Sequence, residues 1–396
     1  MNREDFPILK QSIIYFDNGA TTLKPQTVID STVDYYSNYS ANAHRGDYDI
    51  SLKVDMAYEA VRDKVGKLIN CSRDEVIFTS GTTESLNLVA SGYFKNRLTS
   101  NDEILISYAE HASNVLPWFR LQNEIGSKVK FIPLDDNYHV TLENVKEAIT
   151  DNTKVISLAH VTNVIGDIRP IKEIIEYAHS KGILVVVDGA QSVPHMSVDV
   201  KKLDIDFLAF SGHKMCGPTG VGVLYGKHEL LEGMEPMDLG GGMNESFDAP
   251  DCIELKDVPT RFEAGTPNIA GVIALGSAID YLMSIGLDNI YNHEKELRDY
   301  MVSKLSTIEH INIVSNSDTG IVAFNVDGIF PQDVAVYLNK YGICVRAGNH
   351  CAKILKNETK VNNTIRASLY LYNTKEEIDK FVDLLREKDK IIKEMI

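Results

Sequence analysis

Ser211-Gly212-His213-Lys214-Met215-Cys216-Gly217-Pro218-Thr219-Gly220-Val221-Gly222 is the stretch whose reading decides the fold. It follows Phe207 to Phe210, a short apolar run that reads as a buried strand, so Ser211 to Lys214 stands where that strand runs out into a loop. Open α/β sheets hold their ligands at such strand ends. A lysine placed there can form a Schiff base with a carbonyl compound. Ser211 and His213 are placed to donate to a phosphate, while Gly217 and Gly220 let the backbone approach closely.

A His-Lys pair beside a glycine turn is, in isolation, an ordinary surface feature. The residues upstream decide otherwise. Ile183 to Val187 is a continuous apolar run long enough for a central strand, and it ends in Asp188-Gly189-Ala190-Gln191. An acid at the end of one buried strand and a lysine at the end of the next form the pair that pyridoxal phosphate requires. The carboxylate keeps the pyridine nitrogen protonated, which makes the ring an electron sink, and the lysine carries the aldehyde carbon.

Working outward, the series of strands continues. Ile13 to Phe16 is a short strand candidate ending in the turn sequence Asp17 to Thr22. Glu75 to Thr79 delivers Ser80-Gly81-Thr82-Thr83-Glu84 into a helix beginning around Ser85, and small hydroxyl residues at a helix start make Thr82 and Thr83 phosphate ligands. Ile104 to Ser107, Lys130 to Leu134 and Val155 to His160 are further strands. Helices are expected at 26–39 and 52–69, and Ile171, Ile174, Ile175 and Ala178 form one apolar helical face that covers the sheet. This alternation implies a mostly parallel, doubly covered sheet. Residues 228–266 break the rhythm as a long surface excursion. Beyond 268–308, which reads as helical, strands at 311–314, 321–326 and 343–346 and a helix from Gln332 fit a smaller α+β unit. A closing helix opens with the capping-box pair Thr374 and Glu377 and turns Ile378, Phe381, Val382 and Leu385 to one face.

Composition narrows the class. The 396 residues, 44% of them hydrophobic, suffice for one large and one small domain. A net charge of −16 argues against a nucleic-acid partner, and no run approaches the length needed to span a membrane. Cys71, Cys216, Cys252, Cys344 and Cys351 show no metal-site or disulfide spacing, so no metal is expected and a reduced, cytoplasmic setting fits best. Cys351 has the most cationic sequence neighbourhood, with His350 and Lys353 flanking it, and cations favour the reactive thiolate.

Several dispersed motifs now carry a resemblance. DGAQSVPH followed by DFLAFSGHK is similar to the class V aminotransferases of pyridoxal-phosphate fold type I, and RAGNHCA at 346–352 resembles their cysteine desulfurase branch of the SUF type. The likeness runs from YFDNGATT at 15–22 to IRASLYLYN at 365–373. It implies an α/β fold with a large cofactor-binding domain, residues 20–265, built on a mostly parallel seven-stranded type of sheet. Residues 1–19 and 266–396 then form the small domain with connecting helices. It implies that pyridoxal 5'-phosphate is held by Asp188, Gln191, Thr82, Thr83, Ser211, His213 and Lys214, that His111 stacks on the ring and shuttles protons, and that Asn163 bonds the ring oxygen or the substrate. Thr266 would reach the phosphate of the neighbouring subunit, which implies a homodimer. Asn18, Ala20, His44, Arg45 and Arg346 would border the substrate, and Arg366 would grip its carboxylate, a task suited to a guanidinium fork.

The implied reaction converts L-cysteine to L-alanine. Lys214 carries the proton and Cys351 takes the sulfur as a persulfide, for a SUF-type acceptor protein in iron–sulfur assembly. Asp47-Tyr48-Asp49 and Asn349, which stands where many members carry a second histidine, depart from the family pattern. The alternatives are a selenocysteine lyase or another lyase or aminotransferase of this fold, and a silent scaffold, against which the joint presence of Asp188, Lys214, Cys351 and Arg366 speaks.

Overall fold

The structure, a computed structural model, describes residues 2–43, 46–249, 252–315, 318–360 and 362–395. Its first strands are β1 (Ile14–Tyr15), β2 (Val76–Thr79), β3 (Glu103–Ser107), β4 (Lys128–Ile132) and β5 (Thr153–Ala159). They are followed by β6 (Leu184–Asp188), β7 (Phe207–Ser211), β8 (Gly222–Gly226), β9 (Asn244–Ala249) and β10 (Cys252–Leu255). The last are β11 (Ile311–Ile313), β12 (Ile321–Val326), β13 (Ile343–Cys344), β14 (Arg346–Gly348) and β15 (Thr364–Ser368). Helices that matter below are α1 (Gln26–Asn38), α2 (Asp49–Ile69), α3 (Thr82–Leu88), α4 (Leu116–Ile125), α5 (Ile171–Ser180), α6 (Ile269–Ile285), α7 (Leu287–Leu305), α8 (Pro331–Lys340) and α9 (Lys375–Arg386).

Seven strands form the main sheet in the order β2-β8-β7-β6-β5-β3-β4, and each neighbouring pair is parallel except the two made by β8. The mostly parallel α/β sheet expected from the sequence is therefore present. Its central strands β6 and β7 are buried on both faces, which is why they read as unbroken apolar runs: Val186, Phe207 and Ala209 enter one core, Val185, Val187, Leu208 and Phe210 the other. On one side α5 presses Ile171, Ile174, Ile175 and Ala178 inward, the face that the spacing marks.

The strand β8 does not follow from the sequence reading, which assigns no element between the glycine-rich stretch ending at Gly222 and the excursion that begins at 228. Val223, Leu224 and Tyr225 are buried between β2 and β7, and Gly222 makes the turn-in possible. A Cβ at Gly222 would lie 2.5 Å from the Cα of Gly81, so the loop after β2 and the start of β8 touch backbone to backbone.

The smaller unit is an antiparallel sheet in the order β11-β12-β15-β14 with α8 and α9 against it, and its core gathers Phe16, Phe324, Tyr337, Ile365 and Phe381. Where a single strand was expected at 343–346, β13 pairs with β1 and β14 with β15, so the chain changes sheets at Val345. The capping box at Thr374 and Glu377 is made as expected.

The cores do not divide at 19/20 and 265/266. Phe6 packs in the main core while Ile14 and Phe16 pack in the small one. The apolar α6 lies against α1 and α2 and belongs wholly to the main core, and the division falls inside α7, between Ile290 and Leu297. Burying a helix with so much apolar surface needs neighbours on several sides, and the large sheet with its helices supplies them. The excursion at 228–266 contains the β9–β10 hairpin, whose Phe247 and Ile253 are exposed. No helix among the described residues is long and apolar enough by itself to cross a membrane.

Candidate active site

Five strand ends of the main sheet open onto one cavity of about 180 Å³. The first turn of α3, after β2, supplies Thr82 and Thr83, the loop after β3 His111, that after β5 Asn163, the end of β6 Asp188 and Gln191, and the end of β7 Ser211, His213 and Lys214. The small sheet closes the cavity with Arg346, Cys351 and Arg366, and the N-terminal turn adds Ala20. Residues separated by more than 300 positions thus meet in one place.

Asp188 is 4% exposed, and burial pushes its carboxyl up to about 6 against the pull of the Lys214 ammonium. Burial likewise lowers Lys214 to about 8, with Asp188 opposing the shift and Arg366 and Arg346 adding to it. Both members of the pair are thereby moved toward their neutral forms by the same desolvation. One Asp188 oxygen accepts the Ala190 N–H at 2.9 Å. Burial and the nearby cations hold His111 down at about 4, so its ring is neutral at neutral pH. Its Nδ1 accepts the Ser113 N–H at 3.1 Å, which leaves the proton on Nε2. His213 is held at about 4 by burial and then by Lys214 and Lys24.

On the phosphate side, Ser211 Oγ meets the Thr82 N–H at 2.8 Å and the Thr82 hydroxyl at 2.7 Å, and the Thr83 hydroxyl lies 2.8 Å from that of Ser113. Gln191 spends its amide N–H on the Gly19 carbonyl at 2.7 Å and leaves a buried Oε1 without a partner. The Oδ1 of Asn163 is also buried and unpartnered. Unpaired acceptors, hydroxyl donors and a buried acid facing a lysine are the donor set that pyridoxal phosphate needs, and the residues fit the group.

Asn163 also ties the two halves of the site together. Its Nδ2 donates to the His350 carbonyl at 2.7 Å, and its own carbonyl accepts from Arg366 Nη1 at 2.7 Å. The Ala112 N–H, next to His111, donates to the Cys351 carbonyl at 2.8 Å. Cys351 is exposed yet lines the cavity, on a loop where His350 (φ 50°) and Cys351 (φ 60°) are both left-handed. Non-glycine residues visit that region at a cost, and such positions concentrate at functional loops. Asn349 accepts the Cys351 N–H with its side-chain oxygen at 3.1 Å, so the residue that departs from the family pattern closes the turn that presents the thiol.

Two expectations, for Asn18 and His350, need correction. Asn18 does not line the cavity: its side chain is buried and bonded to the Ser368 carbonyl, Asn373 and Tyr372, so it fastens the N-terminal turn, and Gly19 occupies the cavity wall instead. His350 supplies no charge to the thiol, because its Nε2 is bonded to Thr364 and burial lowers it to about 3. The cations that line the cavity with Cys351 are Lys214, Arg346 and Arg366. Thr266 lies on the exposed outside, 3.4 Å from Asn42 Nδ2, away from this chain's own cavity. His44 and Arg45 fall outside the described residues.

Sequence reasoning missed Ser113, which orients His111, and Glu110, which accepts from the Ala159 N–H and pairs with Arg169 where both are fully buried. Their signal was present in the Glu110-His111-Ala112-Ser113-Asn114 stretch, but nothing in the sequence shows which of these polar residues turns inward.

The chain matches the Aminotransferase class-V family over residues 14–381. It is 46% identical over 381 residues to a probable cysteine desulfurase of Halalkalibacterium halodurans, with 94% of each chain covered. It is 40% identical to a cysteine desulfurase of Haloferax volcanii, covering 97% of this chain and 95% of the relative. Among solved structures, the cysteine desulfurase CsdA of Escherichia coli superposes with a TM-score of 0.93 at 38% identity, covering 100% of this chain and 98% of that one. A cysteine desulfurase of Thermococcus onnurineus superposes with a TM-score of 0.94 at 40% identity, covering 98% and 97%. Motifs, sheet topology and full-length likeness agree, and the chain belongs to the aminotransferase class-V family, among its cysteine desulfurases.

Proposed function

We propose that the chain is a pyridoxal-phosphate-dependent cysteine desulfurase that moves the sulfur of L-cysteine onto Cys351 and releases L-alanine. The observation that carries this reading is the single cavity that holds Asp188, Lys214, His111, Arg366 and the Cys351 thiol together. Lys214 and Asp188 would hold the cofactor's aldehyde carbon and ring nitrogen, and Thr82, Thr83, Ser211 and His213 its phosphate. When bound, the cofactor supplies an electron sink for the substrate's Cα. Arg366 fixes the substrate carboxylate, and Lys214, held near 8, is poised to take and return a proton at neutral pH. The Cys351 thiolate attacks the substrate sulfur. An S–S bond forms as the substrate's Cβ–S bond breaks, the electron pair of that bond stays on Cβ, and a proton completes the methyl group of alanine.

The persulfide is handed to an acceptor protein of the SUF type for iron–sulfur assembly, a reading supported by the RAGNHCA motif and by the exposure of Cys351. The active unit is a homodimer. Support comes from Thr266 and Asn42 meeting on an exposed edge, and from the apolar Val33, Tyr36, Leu52 and Met56, which α1 and α2 leave uncovered. A reduced cytoplasmic setting is supported by all five cysteines being free thiols.

The test uses wild-type protein and Cys351→Ala, both loaded with pyridoxal phosphate. Given L-cysteine without reductant, the wild type should gain one sulfur atom on the peptide containing Cys351 and lose it on addition of a thiol, while Cys351→Ala binds cofactor and substrate but releases no alanine. Alanine release by Cys351→Ala at the wild-type rate, or extra sulfur on Cys216, overturns the reading.

A further inference from the structure

The carbonyl of His213 belongs to the peptide bond that leads into Lys214, and four donors converge on it. The Thr22 N–H, the Thr21 hydroxyl and the Lys24 ammonium each lie 3.0 Å from the oxygen, and the Thr22 hydroxyl lies 3.2 Å from it. A backbone carbonyl has two lone pairs, so this oxygen is saturated. The Thr22 hydroxyl also accepts the Cys216 N–H at 2.8 Å. Residues 21–24 thus grip the chain on both sides of Lys214.

Lys24 is the only charged member of the grip. Its ammonium donates to the His213 carbonyl, to the Thr22 carbonyl and, at 3.3 Å, to the Thr21 hydroxyl, so each of its N–H bonds has an oxygen. Among the described residues it has no carboxylate partner, and burial draws it down to about 8 with the Cys216 thiol opposing. A half-buried cation held on carbonyls alone is costly to keep, and hydrogen bonds from a charged donor are the strong ones. Lys24 is absent from the cavity wall. Lys214, which it holds from behind, ends a single 3-10 turn, Gly212–Lys214, and the chain turns left-handed two residues later at Cys216 (φ 62°). So short a turn has little stability of its own.

We propose that Lys24 is a positioning residue: by bonding the His213 carbonyl it fixes the His213–Lys214 peptide and so aims the Lys214 amine at the cofactor's aldehyde carbon. The inference rests on the reading of Lys214 as the cofactor's anchor. Attachment joins the neutral amine nitrogen to the aldehyde carbon and expels the aldehyde oxygen as water with two protons of the amine. The phosphate ligands Thr82 and Thr83 stand on α3, so the hold on the phosphate is separate from the aim of the amine.

The experiment compares two ligands on the apoprotein: pyridoxal phosphate, read by the visible absorption of the attached cofactor, and 4-deoxypyridoxine 5'-phosphate, read by equilibrium dialysis. The second keeps ring and phosphate but carries a methyl group in place of the aldehyde. Lys24→Met should weaken pyridoxal phosphate about tenfold and leave the deoxy analogue within about threefold of wild type. Thr21→Val, which removes one neutral donor from the same carbonyl, should move the ratio of the two Kd values the same way by about threefold. It decides the matter if Lys24→Met does not fold. A general loosening weakens both ligands together and leaves the ratio alone, and a ratio within about twofold of wild type in the deciding variant overturns the proposal. Wild-type protein that gains no visible absorption with pyridoxal phosphate, or Lys214→Ala that keeps it, removes the anchor reading and this inference with it. An unmoved ratio beside a normal wild-type absorption removes the role of Lys24 alone.

Discussion

The two chemical ends of the cavity are built differently. Lys214 and Asp188 sit at the ends of adjacent central strands, in a sheet buried on both faces, and their ionisation is set by burial. Cys351 sits on a left-handed loop of the small unit, exposed to solvent, and the loop is fastened by single hydrogen bonds from the Cys351 N–H to Asn349, from Asn163 to the His350 carbonyl and from the Ala112 N–H to the Cys351 carbonyl. The contrast follows the chemistry. An electron sink works when its partners are held still in a dry setting, whereas a thiol that takes sulfur in the cavity and gives it up outside must face both. Cys216, by contrast, is fully buried, and burial pushes its thiol up to about 12, so it has neither access nor a thiolate.

The sharpest way to break the comparison is Lys214→Ala. It should remove the visible absorption of the purified protein and lower alanine formation by roughly a thousandfold or more, since proton transfer and cofactor attachment are lost together. Retained absorption would show that the strand-end lysine is not the anchor.

A second test concerns the cost of holding an acid in that dry setting. Asp188 is raised from 3.8 to about 6 in the folded chain, so the folded state holds its proton more tightly than the unfolded chain does. Its favourable contribution is full below the unfolded value and is lost as pH rises through about 6. Asp188→Asn, a neutral mimic of the protonated acid, should therefore make the apoprotein more stable than wild type at pH 7, by at most about 3 kcal/mol. The gap should close below about pH 4. Urea denaturation of both apoproteins at the two pH values measures it, and an asparagine variant no more stable at pH 7 would mean that burial at this strand end carries no such cost.

Legibility of the site in the sequence follows the same contrast. Strand ends announce themselves: an apolar run that stops at Asp188 or Ser211 fixes both the element and the position of the polar residue relative to it. The helix face at Ile171 to Ala178 and the capping box at Thr374 are local patterns and equally readable. What escaped depends on distant meetings. Asn18 reads as a turn residue, and only the folded chain shows its side chain taken up by Ser368 and Asn373. Asp17 lies in a quoted motif, yet the arginines it meets, Arg346 and Arg366, come from β14 and β15. The strand β8 was hidden because glycine signals a loop locally, while here Gly222 permits a backbone contact with Gly81. The charge ascribed to His350 from its place beside Cys351 was lost to burial, which adjacency in sequence cannot reveal.

The smallest effect is expected at Lys353, and it sharpens the question of where the thiol gets its activation. In sequence Lys353 is the nearest permanent cation to Cys351, and adjacency alone would assign it the task of holding the thiolate. In the fold it opens a short 3-10 turn, is exposed, and makes no ion pair among the described residues, while Lys214 and Arg366 line the same cavity as the thiol. An exposed ammonium is screened by water and salt, and such charges contribute about 0–1 kcal/mol to a partner. Lys353→Gln should therefore slow persulfide formation by no more than about threefold, with a still smaller effect at high salt, and leave cofactor absorption unchanged. Single-turnover measurement of sulfur appearing on the Cys351 peptide reads this directly. A larger, salt-insensitive loss would mean that the loop brings its own cation against the sulfur, and that the thiol end is activated locally, as the cofactor end is.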